Sequence, residues 1–411
     1  MSPVVAGVGL VPFGKYPDRG LKSLAAEAVS NCMQDAGIGP GEIQFAFVAN
    51  AVGGLITGQE CIAGQVALQP LGIGGIPILN VENACASGSS ALFLGVQAIK
   101  AGQADIVLAL GMEKLTHPER RVTMAAFGSG VDVELRRQRR SSTEPVDEKR
   151  DASDEGGTGS KRVKGSVFMD IYAARIRRHM EAYGTTAEQM AAVSVKSHKF
   201  GSLNPYAQFR TPVTVEQVLN DKVVASPLTV MMCSPIGDGA AAALIVSEDF
   251  ARSRGLGSRP RIVASVLTSA SVPEKTGDAA EERAIRAAYE QAGIGAGDLD
   301  VAEVHDATSP AEMLLYESLG LCEPGGSGKL VDTGATDLGG VCPVNTSGGL
   351  VSRGHPIAAT GLAQIAELSW QLRGECGDRQ VESARVALAQ CGGGYVGGDV
   401  AAETVHILVR P

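Results

Sequence analysis

Four short stretches carry the side chains that covalent acyl chemistry needs. Cys85 lies in VENACASGSSALFLGVQAIKAG, at the start of a run that is apolar nearly all round and reads as a buried helix. At a helix N-terminus, free N–H groups and the positive dipole end favour a thiolate. The small neighbours Ala84, Ala86, Ser87, Gly88 and Ser89 leave room for a substrate. A buried structural cysteine is the commoner fate of this residue type, but the setting favours a nucleophile. His355 sits between Gly354 and Pro356 in SGGLVSRGHPIAATG, at a second loop-to-helix junction. An imidazole there can take a thiol's proton or hydrogen-bond an oxyanion; it can equally cap the helix. Cys391, in ALAQCGGGYVGG, ends a buried strand and enters three glycines whose N–H groups can approach a ligand closely. A tight turn would account for the glycines but not for the thiol. His305-Asp306-Ala307, in VAEVHDATSPAEML, ends another buried strand before a helix that opens around Ser309-Pro310.

All four stretches occupy one kind of position. In an α/β sheet the carboxyl ends of strands and the N-termini of helices converge on the ligand crevice. The elements that hold them come twice. Residues 35–50, DAGIGPGEIQFAFVAN, are echoed by residues 291–306, QAGIGAGDLDVAEVHD, and each is preceded by a helix-period segment. Further along, Asn83–Gly88 before the apolar helix is matched with Asn345–Gly349, and ADIVLALG (104–111) with ARVALAQCGGG (384–394). Near-continuous apolar strands of this kind need cover on both faces. The prediction is therefore two similar α/β units packed in layers.

Between the halves the chain changes character. Residues 132–164 are charged throughout and almost free of large apolar groups, which predicts an exposed, mobile excursion. Arg136, Arg137, Arg139 and Arg140 within it could meet phosphates or a partner, but a solvated loop balanced by its own acids is the better reading. Two helix-period segments follow, and residues 119–235 are read as an insertion lying over the first half.

Composition narrows the class. The chain has 411 residues, 44% hydrophobic and 20% charged, with a formal net charge of −9, which argues against a nucleic-acid surface. No uninterrupted apolar run is long enough to span a bilayer, and the N-terminus lacks a basic signal-peptide region. Eight cysteines without C-x-x-C spacing read as thiols rather than a disulfide frame, which predicts a soluble, cytoplasmic protein.

The CASGSSA, GGLVSRGHPIAATG and CGGG segments, in that order, resemble thiolases, as does CSPIGDGAAAALIVS (233–247), and the resemblance covers essentially the whole chain. Most thiolases carry Asn-Glu-Ala-Phe where this chain has His-Asp-Ala; that piece resembles the sterol-carrier-protein type and its bacterial and archaeal relatives. The run LGLCEPGGSGKLVDTGATDLGGVCPVNTSGGL looks most like members that work beside a small companion protein with a zinc ribbon and an OB-fold. The resemblance implies an α/β thiolase fold: two duplicated βαβαβαββ halves in α-β-α-β-α layers, with a loop-domain insertion in the first half. The expected divisions are residues 1–118 with 236–255, an insertion at 119–235, and 256–411.

The same resemblance implies the roles. Cys85 would carry the acyl group, His355 would take its proton and help hold a thioester oxygen, and Cys391 would act as acid and base. His305 would donate to the same oxyanion, and a second oxyanion hole would come from the backbone N–H groups of Cys85 and Gly393. The implied activity is thiolysis of a 3-ketoacyl-CoA or the reverse Claisen condensation, with coenzyme A as substrate and no resident cofactor or metal. A homodimer is implied, with the companion protein as a further partner. The rivals are a condensing β-ketoacyl synthase, which lacks the second cysteine, a biosynthetic acetoacetyl-CoA thiolase acting in a complex, and a related aldolase that has lost the cysteine pair. A non-catalytic scaffold subunit would have lost Cys85 or His355.

Overall fold

The computed structural model describes residues 2–142, 166–272 and 278–411. Its strands are β1 (Val4–Leu10), β2 (Phe45–Ala49), β3 (Ile78–Val81), β4 (Ile106–Glu113), β5 (Val223–Ala225), β6 (Leu228–Thr229), β7 (Gly239–Val246), β8 (Arg261–Ser269), β9 (Val301–Glu303), β10 (Val386–Val396) and β11 (Asp399–Val409). Nine of them run in the order β3-β2-β4-β7-β1-β8-β11-β10-β9, while β5 and β6 form a separate pair.

The order makes the duplication explicit. In the first half β1 pairs antiparallel with β7, β7 antiparallel with β4, and β4 parallel with β2, which pairs parallel with β3. In the second half β8, β11, β10 and β9 repeat those relations in the same sequence. The counterpart of β3 is reduced to one parallel bridge between Ala302 and Val344. The halves join at β1 and β8 through the pair Val4 and Arg261.

Each half sends one helix into the middle layer: Ser87–Lys100 and Thr360–Arg373. Their side chains, among them Leu92, Val96, Leu362, Ile365 and Leu368, share one buried cluster with the inner faces of strands from both halves. Each such Leu, Ile or Val contributes about 1.5–3 kcal/mol by leaving water. Two polar groups buried on the second of these helices are paired: Gln364 donates to the Gln390 carbonyl at 2.9 Å, and Glu367 holds Arg379 at 3.0 Å. The outer helices Leu21–Ala36 and Ala280–Ala292 end on Gly37 and Gly293 in the left-handed region, as the repeated Ala-Gly-Ile-Gly predicts.

Three expectations are corrected. The insertion belongs to the first half in chain order but packs on the second. Its helices Val167–Tyr183 and Ala187–Leu203 bury Ala173, Ile176, Met190 and Val193 in one cluster with Ile285, Leu388 and Ile407. The outer face of the first half is already covered by Leu21–Ala36 and Ala63–Leu68, so the free apolar surface lies on the other side. Secondly, the charged excursion begins as a helix, Val133–Ser142, whose first turn is held by Asp132 accepting the Leu135 N–H at 2.8 Å; residues 143–165 lie outside the described residues. Thirdly, the stretch equivalent to the Cys85 turn is not Asn345–Gly349. The short turn Ala84–Ala86 leads into Ser87–Lys100, and its counterpart is Ile357–Ala359 leading into Thr360–Arg373, which puts Ala358 in the place of Cys85.

Candidate active site

The Cys85 turn is fixed before any substrate arrives. Ala84 holds a positive φ of 47°, which costs an L-residue about 1–3 kcal/mol. Its N–H is held by Glu82 at 2.6 Å, and its carbonyl accepts from the Ser87 hydroxyl at 2.6 Å. The Ser87 oxygen in turn takes the Asn83 N–H at 2.9 Å. The central helices press on this turn so closely that side chains are excluded: a Cβ on Gly88 would stand 2.3 Å from the Ala358 carbonyl oxygen, and one on Gly393 would stand 2.1 Å from that of Asn83.

His355 reaches the turn from the second half. Its Nε2 lies 3.3 Å from Cys85 Sγ, and its Nδ1 lies 2.7 Å from Thr360 Oγ1. The Thr360 hydroxyl spends its proton on the Pro356 carbonyl at 3.1 Å, so it can only accept from the ring. Nδ1 therefore carries the hydrogen, and the Nε2 lone pair faces the thiol. Cys391 approaches from the other side, its thiol donating to the Cys85 carbonyl at 3.2 Å. The His305 ring meets that of His355 edge-on, with centroids 5.1 Å apart. Its backbone N–H is held by Gln390 Oε1 at 2.9 Å, and its Nε2 has no partner. Cys85, His305 and His355 thus line one cavity of about 360 Å³, and Cys391 packs beside it against the Cys85 carbonyl. Gly393 lies against the Cys85 turn, while the backbone N–H groups that face the sulfur are those of Cys85 and Gly394.

The electrostatics correct one expectation. The helix terminus does not leave Cys85 as a thiolate at rest: burial first, then the nearby Glu113 carboxyl, pushes its thiol up to about 12. Burial holds His305 down to about 4, and burial together with His305 and Arg353 holds His355 well below its ordinary value. Cys391 is held well above its ordinary value by burial and by Cys85. These directions favour neutral thiols beside neutral imidazoles.

Several residues that carry this geometry were not singled out from the sequence. Glu113, at the end of β4, accepts the N–H groups of Ala51 at 3.2 Å, Val52 at 3.3 Å and Ala358 at 3.1 Å, so it ties the loop after β2 to the Ile357–Ala359 turn. Burial pushes it up to about 7. Glu303, at the end of β9, holds the Ser347 N–H at 3.0 Å and Arg353 Nη1 at 3.2 Å, which anchors the loop carrying His355. Asp306 accepts the Leu350 N–H at 2.7 Å and couples His305 to that same loop. The sequence signal was a charge within an otherwise apolar run: IVLALGME, VAE and SRGHP. Phe168, Met169 and Tyr172, from the inserted helix Val167–Tyr183, line the cavity. No helix among the described residues is long and apolar enough to cross a membrane.

Residues 4–249 match the family model for the thiolase N-terminal domain, and residues 265–410 match that for the thiolase C-terminal domain-like family. The chain is 39% identical over 411 residues to an acetyl-CoA acetyltransferase of Methanothermobacter thermautotrophicus, covering 99% of each. It is 39% identical over 402 residues to sterol carrier protein 2 of Oryctolagus cuniculus, covering 93% of this chain and 68% of that one. A solved structure titled an Ltp2-ChsH2(DUF35) aldolase shares the fold, with a TM-score of 0.74 at 22% identity over 100% of this chain and 98% of that one.

Proposed function

The chain belongs to the thiolase family, and from that premise we propose that Cys85, His355, Cys391 and His305 act as one acyl-transfer unit. As a thiolase it is an acyltransferase of acyl-CoA thioesters: it cleaves a 3-ketoacyl-CoA with coenzyme A or runs the reverse condensation. The observation that carries the assignment is the 3.3 Å contact from Cys85 Sγ to a His355 Nε2 whose lone pair Thr360 directs at the thiol.

In cleavage, the Cys85 thiol gives its proton to His355 Nε2 as the sulfur attacks the 3-keto carbon. Proton transfer in the attack suits a thiol that is neutral at rest. The oxyanion that forms is met by the Cys85 N–H and by the glycine backbone at Gly393–Gly394 beside it. When it collapses, the bond between C2 and C3 breaks, and the enolate of the shorter acyl-CoA takes a proton from Cys391. The partnerless His305 Nε2, together with His355, holds the thioester oxygen while the enolate exists. Each fixed donor is worth about 2.7–4 kcal/mol in such a barrier. The Cys391 thiolate then removes the proton of an incoming coenzyme A thiol, which releases the acyl group from Cys85 and returns His355's proton to its sulfur. Condensation reverses every step. These steps need no resident cofactor, and coenzyme A enters and leaves as substrate and product.

Thiolysis is usually the downhill direction, and we take it as the working one. We propose a homodimer built on β3, an edge strand whose Leu79 is 43% exposed, and a small companion protein of the kind named in the structural neighbour's title. The free state of all eight cysteines fits a reducing, cytoplasmic location. The test is turnover of acetoacetyl-CoA plus coenzyme A, read by loss of the 3-ketoacyl enolate absorbance, beside larger 3-ketoacyl-CoAs and the co-purified partner. Wild-type protein should turn over at least one of these, and Cys85→Ala none. Cleavage that survives Cys85→Ala would overturn the assignment.

A further inference from the structure

We propose that Cys85, His305 and His355 form a binding site for a zinc-class divalent cation, and that filling it switches the nucleophile off. One ligand atom from each residue lies within 4.8 Å of the other two, and the closest pair, His355 Nε2 and Cys85 Sγ, is 3.3 Å apart. Tetrahedral zinc, with Zn–N near 2.0–2.1 Å and Zn–S near 2.3 Å, sets its ligands about 3.4–3.6 Å apart. Small side-chain shifts therefore suffice to close the site around an ion.

Three observations separate this group from a chance meeting of polar side chains. His305 is 7% exposed, and its Nε2 has no hydrogen-bond partner, so a buried nitrogen waits for a ligand. His355 already has the support that metal-bound imidazoles use: its other nitrogen donates to Thr360, which fixes the ring and aims the Nε2 lone pair. The two rings cross at 74° rather than stack, which leaves their in-plane lone pairs free to aim at a common centre beside the thiol. Two imidazoles and a thiolate select zinc, cobalt or copper over magnesium or calcium.

On binding, the S–H bond of Cys85 breaks, its proton passes to solvent, and the sulfur electron pair forms the bond to the metal. Three protein ligands leave a fourth position, which faces the cavity and takes water. The same electron pair is the one that attacks a thioester, so metal and acyl group exclude each other on Cys85. This exclusion rests on the acyl-transfer reading of Cys85, whereas the binding site itself does not.

The experiment uses Co²⁺ as a spectroscopic probe on the full chain, with Zn²⁺ in competition. One Co²⁺ per chain should give a thiolate-to-cobalt charge-transfer band that Zn²⁺ displaces. The band should vanish in Cys85→Ala and after alkylation of Cys85, and persist in Cys61→Ser, which removes the exposed thiol. His305→Ala should weaken binding at least 10-fold, and Thr360→Val, which touches no metal, by about 10–100-fold. Zn²⁺ should block acetylation of Cys85 by acetyl-CoA, and a chelator should restore it. Absence of a thiolate band, or a band that survives Cys85→Ala, overturns the site. A band without any turnover of 3-ketoacyl-CoAs keeps the site and sinks the thiolase mechanism; turnover that is indifferent to Zn²⁺ does the reverse.

Discussion

Both halves send a short turn into a buried central helix, Ala84–Ala86 into Ser87–Lys100 and Ile357–Ala359 into Thr360–Arg373. The first turn presents a thiol to the cavity; the second holds Ala358 away from it, its carbonyl packed against the backbone at Gly88 and Gly111. The acid–base groups of the second half sit elsewhere: His355 on the stretch that precedes its turn, Cys391 inside β10, and His305 just past β9. The duplication supplies two equivalent platforms, and chemistry arises because only one keeps the nucleophile while the other has gained a loop that reaches across to it. Glu113 ties the second platform to the first half, taking N–H groups from Ala51 and Val52 after β2 and from Ala358.

That asymmetry can be broken in three ways, in falling order of effect. Cys85→Ala should reduce thiolysis at least about 10⁴-fold, as loss of a nucleophile does, and adding Ala358→Cys should restore none of it. Rescue of initial rates by the relocated thiol would mean the platforms are interchangeable. Glu303→Gln strands the Arg353 guanidinium, which is 1% exposed, in the core, and should lower unfolding free energy by about 3–5 kcal/mol in urea titration. Pairing it with Arg353→Met should return part of that stability; an unchanged midpoint in the single variant would remove the pair from the account. Glu113 should show itself through pH. Its folded value near 7 lies above the ordinary carboxyl value, so between roughly pH 4.5 and 7 the unfolded chain ionises while the folded one stays protonated. Wild type should therefore lose about 3 kcal/mol relative to Glu113→Gln across that window as pH rises, and the gap should be constant above it. A gap that is flat from pH 4 to 8 would contradict the buried, protonated carboxyl.

Much of this was legible in the sequence, for reasons that differ by residue. Gly37 and Gly293 had to end helices, and the repeated Ala-Gly-Ile-Gly announced both; the strands β4 and β10 were legible because a strand covered on both faces must be apolar throughout. Cys85, His355, Cys391 and His305 stood out because reactive side chains appeared among small residues at strand and helix ends. What was hidden depends on contacts distant in the chain. The apolar face of Val167–Tyr183 announces that it needs a partner but not which half provides it. The Asn345–Gly349 stretch resembles the Cys85 turn locally, and only the pairing of Val344 with Ala302 shows that it follows the strand directly. The pull of the helix terminus toward a thiolate was legible, but the stronger push of burial and Glu113 against it, which leaves the proton for His355 to take, was not.

The central claim, a nucleophile on one half served by acid–base groups on the other, is tested most directly by acyl trapping in Cys391→Ser. In acylation of Cys85 by acetyl-CoA, Cys391 only protonates the departing coenzyme A, a thiolate that also leaves unprotonated, whereas condensation requires Cys391 to remove the α-proton. Intact mass after incubation with acetyl-CoA should show one acetyl group on Cys391→Ser, with no acetoacetyl-CoA formed, and no acetyl group on His355→Asn. An unacetylated Cys391→Ser protein, or one that condenses at the wild-type rate, would contradict the division of labour.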